Sequence, residues 1–421
     1  MFTCTHFLAG TGSGMVATEQ MGIKSKYCLS FKPLEYRDKY YDHNFKEPKL
    51  QFLPLELVET DNFDTDHYDK FKKYITDNNI ESTDFQISIP CCKGLSLLSR
   101  ISKSDSLDNL WMVRTVEWFF AQNNDILIFE NSRDLMENKG RLVKEKIIER
   151  FNKYNKDNEY KMLFVKTKGY IHNSPQSRTR AFCIIYKSKY AYHLNKIHDT
   201  IVTVKDVLNR PEQYDESIPY HFYPLITRNL YKEFLQYIED KNLWDMCRNY
   251  AKEHEDARFS LLSLYAGNTV EQNLKQFEGY PEICKYISSN QPRCEREGKV
   301  MYDSSPIFYH RHCKTINGRN SYLLIHPKYN RYLSLREYMD IQGLPDTYSF
   351  PEKSTIHDKC SCVFRMVPIQ MMSDFLKYMV SIKTGKEDIV TRIQDNPSII
   401  YQNLTLRKNG QIFSEKFEVI Q

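Results

Sequence analysis

The sequence predicts an α/β protein with a mainly parallel sheet and a smaller domain inserted late in the chain. Three observations predict it. Short apolar runs alternate with longer amphipathic stretches through the first half of the 421 residues, which is the rhythm of βαβ units. A glycine-rich turn, Gly10-Thr11-Gly12-Ser13-Gly14, separates the first strand from the first helix. From about Lys187 to Ile325 the rhythm is lost, and the length exceeds what one small core fills.

Taken in order, Thr3–Ala9 reads as a strand, the glycine turn follows, and Met15–Met21 reads as a helix stopped by Gly22. Phe85–Ile89 is a short strand running into Pro90-Cys91-Cys92. Trp111–Ala121 is helical, and Ile126–Phe129 is a buried strand ending at Glu130-Asn131. Leu163–Lys168 and Ala181–Tyr186 flank a polar loop as a strand pair. Arg228–Glu239 and Leu243–Glu253 are helix-like stretches of the second unit. Ser373–Ile382 reads as a late helix with Ser373 as its N-cap, and Asn409-Gly410 as a hairpin turn.

Composition bounds the function. Hydrophobic content of 41% with 27% charged residues is ordinary for a folded soluble chain. The 30 tyrosines suit polar interfaces as well as cores. A net charge of +5 permits a polyanionic partner without requiring one. No apolar run approaches the ~20 residues that span a bilayer, and Met1 to Gly10 carries neither a basic region nor a cleavage site, so neither membrane nor signal peptide is expected. Eleven cysteines without CxxC pairs suit free thiols in a reducing cytoplasm. His310, His312 and Cys313, with Cys360 and Cys362 far behind, lack the paired spacing of a zinc site. No metal is expected.

Four features carry chemistry. The strand, the Gly10-x-Gly12-x-Gly14 turn and the helix suit a nucleotide-containing cofactor, because glycines admit close backbone approach and a helix N-terminus favours anionic groups. Ser88-Ile89-Pro90-Cys91-Cys92-Lys93-Gly94-Leu95-Ser96 places thiols at a strand end facing the ligand crevice, where either cysteine serves as a nucleophile or simply packs. Glu130 ends another buried strand, as a proton-handling carboxylate or a solvated strand end. Arg178 and Arg180, two residues apart, point the same way in an extended segment.

In this order the features resemble the cytosine-5 DNA methyltransferase family. Phe7-Leu8-Ala9-Gly10-Thr11-Gly12 is similar to its F-A-G-x-G-G, and Pro90 to Ser96 to its P-P-C-Q-x-x-S. Glu130-Asn131 is similar to E-N-V, and Gln176-x-Arg178-x-Arg180 matches Q-x-R-x-R unchanged. Arg331-Tyr332-Leu333-Ser334-Leu335-Arg336-Glu337 resembles R-x-L-T-x-R-E and continues through Ile341-Gln342-Gly343-Leu344-Pro345-Asp346. Val367-Pro368 stands at the last motif's V-P. The resemblance spans about residues 1–188 and 326–385.

It implies a Rossmann-like class I methyltransferase domain over 1–188, and a target-recognition domain over 189–350 that includes the R-x-L-S-x-R-E motif. A return segment at 351–386 and a C-terminal tail at 387–421 complete the chain. It further implies S-adenosyl-L-methionine as cofactor, held by Phe7, Leu8, Ala9, Gly10, Gly12, Asp61 and Pro90. The catalytic residues are Cys92, Glu130, Arg178 and Arg180. Cys92 is preferred as nucleophile because Ser96 follows it by four residues; Cys91 is the alternative because it follows Pro90. Ser96, Gln176, Arg331 and Arg336 are expected at the nucleic acid. The partner is duplex DNA, beside a possible cognate restriction endonuclease, and the chain is expected to be monomeric. A tRNA substrate and a silent DNA-binding relative are the alternatives.

The sequence departs from the family in places. Leu8 stands at the stacking phenylalanine, with Phe7 beside it, and Ser13 replaces a glycine. Ser30-Phe31-Lys32 lacks the ribose-binding carboxylate, with Glu35 nearby. Glu59, Asp64 and Asp66 compete with Asp61 for the adenine amine, and Phe364-Arg365-Met366 replaces Gly-Asn-Ala. Ser305, Tyr309, Arg311 and Arg319 lie near the end of the insert.

Overall fold

The computed structural model describes residues 1–31, 35–54, 62–95, 105–190, 202–222, 236–243, 268–296, 311–316, 324–385, 402–408 and 411–420, with isolated positions between. Its first half supplies seven strands: β1 (Thr3–Phe7), β2 (Lys24–Ser30), β3 (Leu50–Phe52), β4 (Phe85–Ser88), β5 (Ile126–Ser132), β6 (Tyr160–Lys168) and β7 (Thr179–Lys187). Between them run α1 (Ser13–Gln20), α2 (Glu35–Asn44), α3 (Tyr68–Asp77), α4 (Leu110–Gln122) and α5 (Arg141–Tyr154). The second half contributes α6 (Val204–Val207), α7 (Val270–Gln276), α8 (Pro281–Arg296), the paired β8 (Ser305–Pro306) and β9 (Leu324–Ile325), α9 (Leu335–Gln342), α10 (Ile356–Arg365) and α11 (Ile369–Thr384). β10 (Gln402–Lys408) and β11 (Gln411–Ile420) come last.

The sheet order is β10-β11-β6-β7-β5-β4-β1-β2-β3. The five strands β3-β2-β1-β4-β5 run parallel, and β7, β6, β11 and β10 extend the sheet antiparallel. A parallel strand buried on both faces reads as a continuous apolar run, and β5 is buried from Ile126 to Ser132. Side-chain alternation then divides the strand between two cores. Ile126 and Ile128 face α1, α9, α10 and α11, while Leu127 and Phe129 face α4 and α5. Glu130 continues the first series, and across the ladder it pairs with Phe182.

β1 stops at Phe7, two residues earlier than the sequence suggested. Leu8 turns to φ 61°, so the chain leaves the strand direction there. Its N–H donates to Leu29 and its carbonyl accepts from Ile89, fastening the turn to both neighbouring strands. A non-glycine residue in this region is strained and is held there by its surroundings. Gly12 has φ 92°, and a Cβ there would lie 2.4 Å from the Phe45 ring, so both conformation and space demand glycine.

α11 begins at Ile369 with Pro368 at its N-cap position, so Ser373 lies inside the helix and does not cap it; its hydroxyl donates to Gln20 instead. The Val367-Pro368 break sets that start, because proline suits the beginning of a helix and not its interior. β10 and β11 pair antiparallel up to Lys408 and Gln411, flanking 409–410 as a hairpin, and β11 lies against β6. Of the stretches expected at Arg228–Glu239 and Leu243–Glu253, only 236–240 and isolated later positions are described; 236–240 are helical.

Two buried histidines make the fold acid-sensitive. Burial holds the His6 imidazole down at about 3, beneath α1 and beside Ser25. His326 is held at about 2 by burial and then by Arg331. An unfolded histidine takes up its proton near pH 6.5, whereas these do so only far below. Their stabilisation is therefore complete above about pH 6.5 and is lost as pH falls towards 3, by about 1.4 kcal/mol per unit for each group. The denaturant midpoint at pH 5 should lie below that at pH 7.5, and His6→Gln should narrow the difference. An unchanged difference would exclude His6 as a source.

Candidate active site

The C-terminal ends of β4 and β5 and the start of β7 meet at one edge of the sheet, where a doubly wound fold places its ligands. β4 leads through Ile89 and Pro90 into Cys91 and Cys92, of which Cys91 is half-buried and Cys92 exposed. The loop is fixed from both sides. Asn131 Nδ2 donates to the Pro90 carbonyl, and the Leu95 N–H closes a turn on the Cys92 carbonyl. Gly94 is packed so closely that a Cβ would lie 2.2 Å from Asn109 Oδ1. Ser96 lies outside the described residues.

Glu130 is buried at the end of β5, and Arg180 Nε lies 2.6 Å from its Oε1. The N–H is not aimed at that oxygen, so the contact is an ion pair rather than an aligned hydrogen bond, and Oε1 keeps its capacity for a ligand. Burial pushes the Glu130 carboxyl above the ordinary carboxylate range, opposed by Arg180 and Arg178. A carboxyl shifted towards its protonated form donates as well as accepts.

Arg178 is buried and spends its fork on the protein. Nη1 donates to the carbonyls of Ile316 (2.7 Å) and Phe364 (2.8 Å), and Nη2 to that of Arg365 (3.3 Å). Its Nε meets no protein acceptor. Burial and Arg180 lower its pKa, while Glu130 and Cys92 oppose them. Cys92, Glu130, Arg178 and Arg180 therefore share one electrostatic environment. Gln176 is buried behind them, donating to Gln342, which donates to the Val363 carbonyl.

Other expected residues sit elsewhere. Arg331 and Arg336, expected at the nucleic acid, are buried and engaged within the protein. Arg331 is buried in a bidentate pair with Glu337, at 2.7 Å for both contacts, between the rings of Tyr214 and Tyr329. Arg336 is buried against Asp340 and the Leu344 carbonyl. Both brace the second half of the chain. Phe7 is also displaced from its expected role: its ring stacks on Trp118 in the core.

For a nucleotide-containing donor the fit is good at the turn. Gly10 and Gly12 have positive φ, Ala9 is buried among them, and α1 starts without a side-chain cap or first-turn acid. Its first N–H groups remain for an anionic ligand. Phe31, directly after β2, stacks on Trp111 with centroids 3.6 Å apart. This aromatic pair escaped the sequence reading because its members lie 80 positions apart by their numbers. Asp61, Glu59 and the side chain of Glu35 lie outside the described residues. Asp64 pairs with Lys146 and Asp66 with Lys153, so both are engaged. The segment beside them is fixed by Arg114 and Arg150, which share Glu117 and donate to the carbonyls of Phe63, Asp64 and Thr65.

The family's sequence profile, C-5 cytosine-specific DNA methylase, matches residues 2–380. The chain belongs to this family. Among its relatives is the type II methyltransferase M.DdeI of Desulfomicrobium norvegicum, 25% identical over 292 residues; the match covers 66% of each protein, just under two thirds of the relative's length. A candidate DNA modification methyltransferase encoded within an E. coli prophage superposes with a TM-score of 0.58 at 16% identity, over 91% of this chain and 100% of that one. The Entamoeba histolytica methyltransferase EhMeth gives 0.52 at 15% identity, over 92% and 99%. These likenesses establish the Rossmann-like methyltransferase fold. A methyl donor is implied by the family, and no described helix of the methylase is long and apolar enough to cross a membrane.

Arg178→Lys tests the bracing role. Lysine keeps the charge but not the fork, so the variant should lose about 3 kcal/mol in denaturant unfolding, the scale of losing hydrogen bonds to a charged group. A change under about 0.5 kcal/mol, the usual scatter of a surface substitution, would contradict it.

Proposed function

We propose that the methylase transfers a methyl group from S-adenosyl-L-methionine to carbon 5 of a cytosine flipped out of duplex DNA, through a transient bond to Cys92. The observation that carries this reading is the convergence of Cys92, Glu130, Arg178 and Arg180 on one edge of the sheet.

Carbon 5 of cytosine is a poor nucleophile until an addition at carbon 6 makes the ring enamine-like. Cys92 is exposed and close enough to Arg178 for their charges to interact, and its sulfur is the nucleophile that adds there. Glu130 donates to ring nitrogen 3 and accepts from the exocyclic amine, so electron density moves into the ring as the carbon–sulfur bond forms. The free Nε–H of Arg178 and the Arg180 guanidinium support oxygen 2. Asn131 keeps the Pro90 carbonyl, and with it the thiol loop, in register with Glu130. When bound, S-adenosyl-L-methionine supplies the electrophilic methyl group. The turn Leu8–Gly12, the α1 N-terminus, Phe31 and Pro90 would hold it. A water molecule then takes the carbon 5 proton, and the electrons of that bond re-form the 5,6 double bond as the carbon–sulfur bond breaks and the thiolate leaves. Extruding the base from its stack costs a few kcal/mol.

The segment 189–350 is proposed to read the target sequence. The type II name of the M.DdeI relative supports a modification role beside a restriction endonuclease. Transfer of labelled methyl to mixed-sequence duplex DNA and to bulk tRNA tests the reading. Label should enter DNA with wild type and Cys91→Ala, vanish with Cys92→Ala, and fall about 10²–10⁴-fold with Glu130→Ala. Label in tRNA alone would replace the DNA reading, and no label in either would leave a silent relative.

A further inference from the structure

The segment after α9 reaches back to the glycine turn behind β1. Tyr348 lies in a turn closed by its own N–H on the Pro345 carbonyl at 3.0 Å. Its side chain is buried, and its hydroxyl donates to the Thr11 carbonyl at 3.1 Å. A buried phenol needs such a partner, and here the partner is the backbone of the turn. The next residue is fixed by two bonds. Ser349 N–H donates to Asn44 Oδ1 at 2.8 Å, and Asn44 Nδ2 donates to the Ser349 carbonyl at 2.9 Å. Asn44 ends α2, and Phe45 directly after it carries the ring that leaves no room for a Cβ at Gly12.

Tyr348 is braced from the second half of the chain. Its ring and that of Tyr220 each meet Phe350 edge-on, with centroids 5.7 and 5.1 Å away. The Tyr220 hydroxyl accepts from the Phe350 N–H at 2.8 Å, and the Tyr220 carbonyl accepts from the Arg336 N–H at 2.9 Å, in the first turn of α9. Tyr220 has φ 63°, a strained value for a non-glycine residue that its surroundings must hold. Contacts therefore run without a break from α9 through Tyr220, Phe350 and Tyr348 to Thr11.

The consequence of the last bond follows from the peptide plane. The Thr11 carbonyl and the Gly12 N–H belong to one rigid unit. That N–H donates to the Ala9 carbonyl at 3.1 Å, and Tyr348 holds the opposite pole. Gly10 and Gly12, both at positive φ, flank Thr11, and glycines offer little steric resistance to rotation of the planes they join. A hydrogen bond at the carbonyl pole thus holds one orientation of the plane, and with it the direction of the N–H groups that open α1.

We infer that Tyr348 is a positioning residue for the methyl donor, acting through the Thr11–Gly12 peptide. The inference rests on the donor-holding turn of the proposed function and makes the segment after α9 a part of that site.

Titration calorimetry with S-adenosyl-L-methionine tests it on Tyr348→Phe and on the control Tyr160→Phe, beside transfer kinetics on whichever of duplex DNA or tRNA takes the label. Tyr160 is also buried and its hydroxyl also donates to a backbone carbonyl, that of Asn124 at 3.1 Å, before the start of β5 and so at the opposite edge of the sheet. Both variants keep the ring and lose the hydroxyl, so both should lower the urea midpoint. Tyr348→Phe should in addition weaken donor binding about threefold to tenfold, the range that one hydrogen bond gives. The KM for the donor should rise by the same factor, with kcat at saturating donor unchanged. Tyr160→Phe should bind the donor as the wild type does. Equal donor affinity in the wild type and Tyr348→Phe, or an equal weakening in Tyr160→Phe, would overturn the positioning role and leave the proposed function standing. A wild type that binds no S-adenosyl-L-methionine would overturn both.

Discussion

The buried guanidinium of Arg178 joins three stretches of chain that are far apart in sequence: β7, the segment ending at Ile316, and the last turn of α10. A helix leaves its final carbonyls without intrahelical donors and with partial negative charge. Those of Phe364 and Arg365 take theirs from Arg178, and that of Val363 takes one from Gln342. The second half of the chain is thereby registered against the edge of the sheet that carries Glu130 and Cys92. The arrangement leaves Nε without a protein acceptor, and it couples the shape of this edge to the stability of the segment around α10.

Electrostatics at this edge follow from burial. Glu130 without its arginines would be an isolated buried carboxylate, and Arg178 without Glu130 would be a buried cation beside the partly buried Arg180; either state is costly. Together they hold a carboxyl shifted towards protonation beside two guanidinium groups. The exposed Cys92 enters that field from a loop pinned through Asn131, so Glu130 and Cys92 are positioned by adjacent strands β5 and β4.

Much of this was legible in the sequence. The strand–glycine turn–helix opening, the apolar run before Glu130 and the strand pair around the polar loop are local patterns, and they predicted the parallel core and brought Cys92, Glu130, Arg178 and Arg180 forward as candidates. What escaped was non-local. The positive φ of Leu8 ends β1 early because neighbouring strands hold it. The burial of Arg331 and Arg336 was not legible either, because a charge in a motif says nothing about its burial; Glu337 and Asp340, in the same short helix, pair with them. Glu337 also closes a capping box on Ser334, and that i, i+3 pattern was the available signal for a bracing role. The Phe31–Trp111 stack and the Tyr170–His312 contact join residues with no shared sequence pattern.

The central claim is that Cys92 adds to carbon 6 of a cytosine held by Glu130. Duplex DNA carrying 5-fluorocytosine tests it most directly, because fluorine at carbon 5 cannot leave as a proton does and the adduct persists once the methyl group is in place. Incubation with S-adenosyl-L-methionine, digestion and peptide mass analysis should find the modified nucleotide on Cys92, and no adduct should form with Cys92→Ala. An adduct on Cys91, or methyl transfer by the wild type without a trapped adduct, would contradict the account.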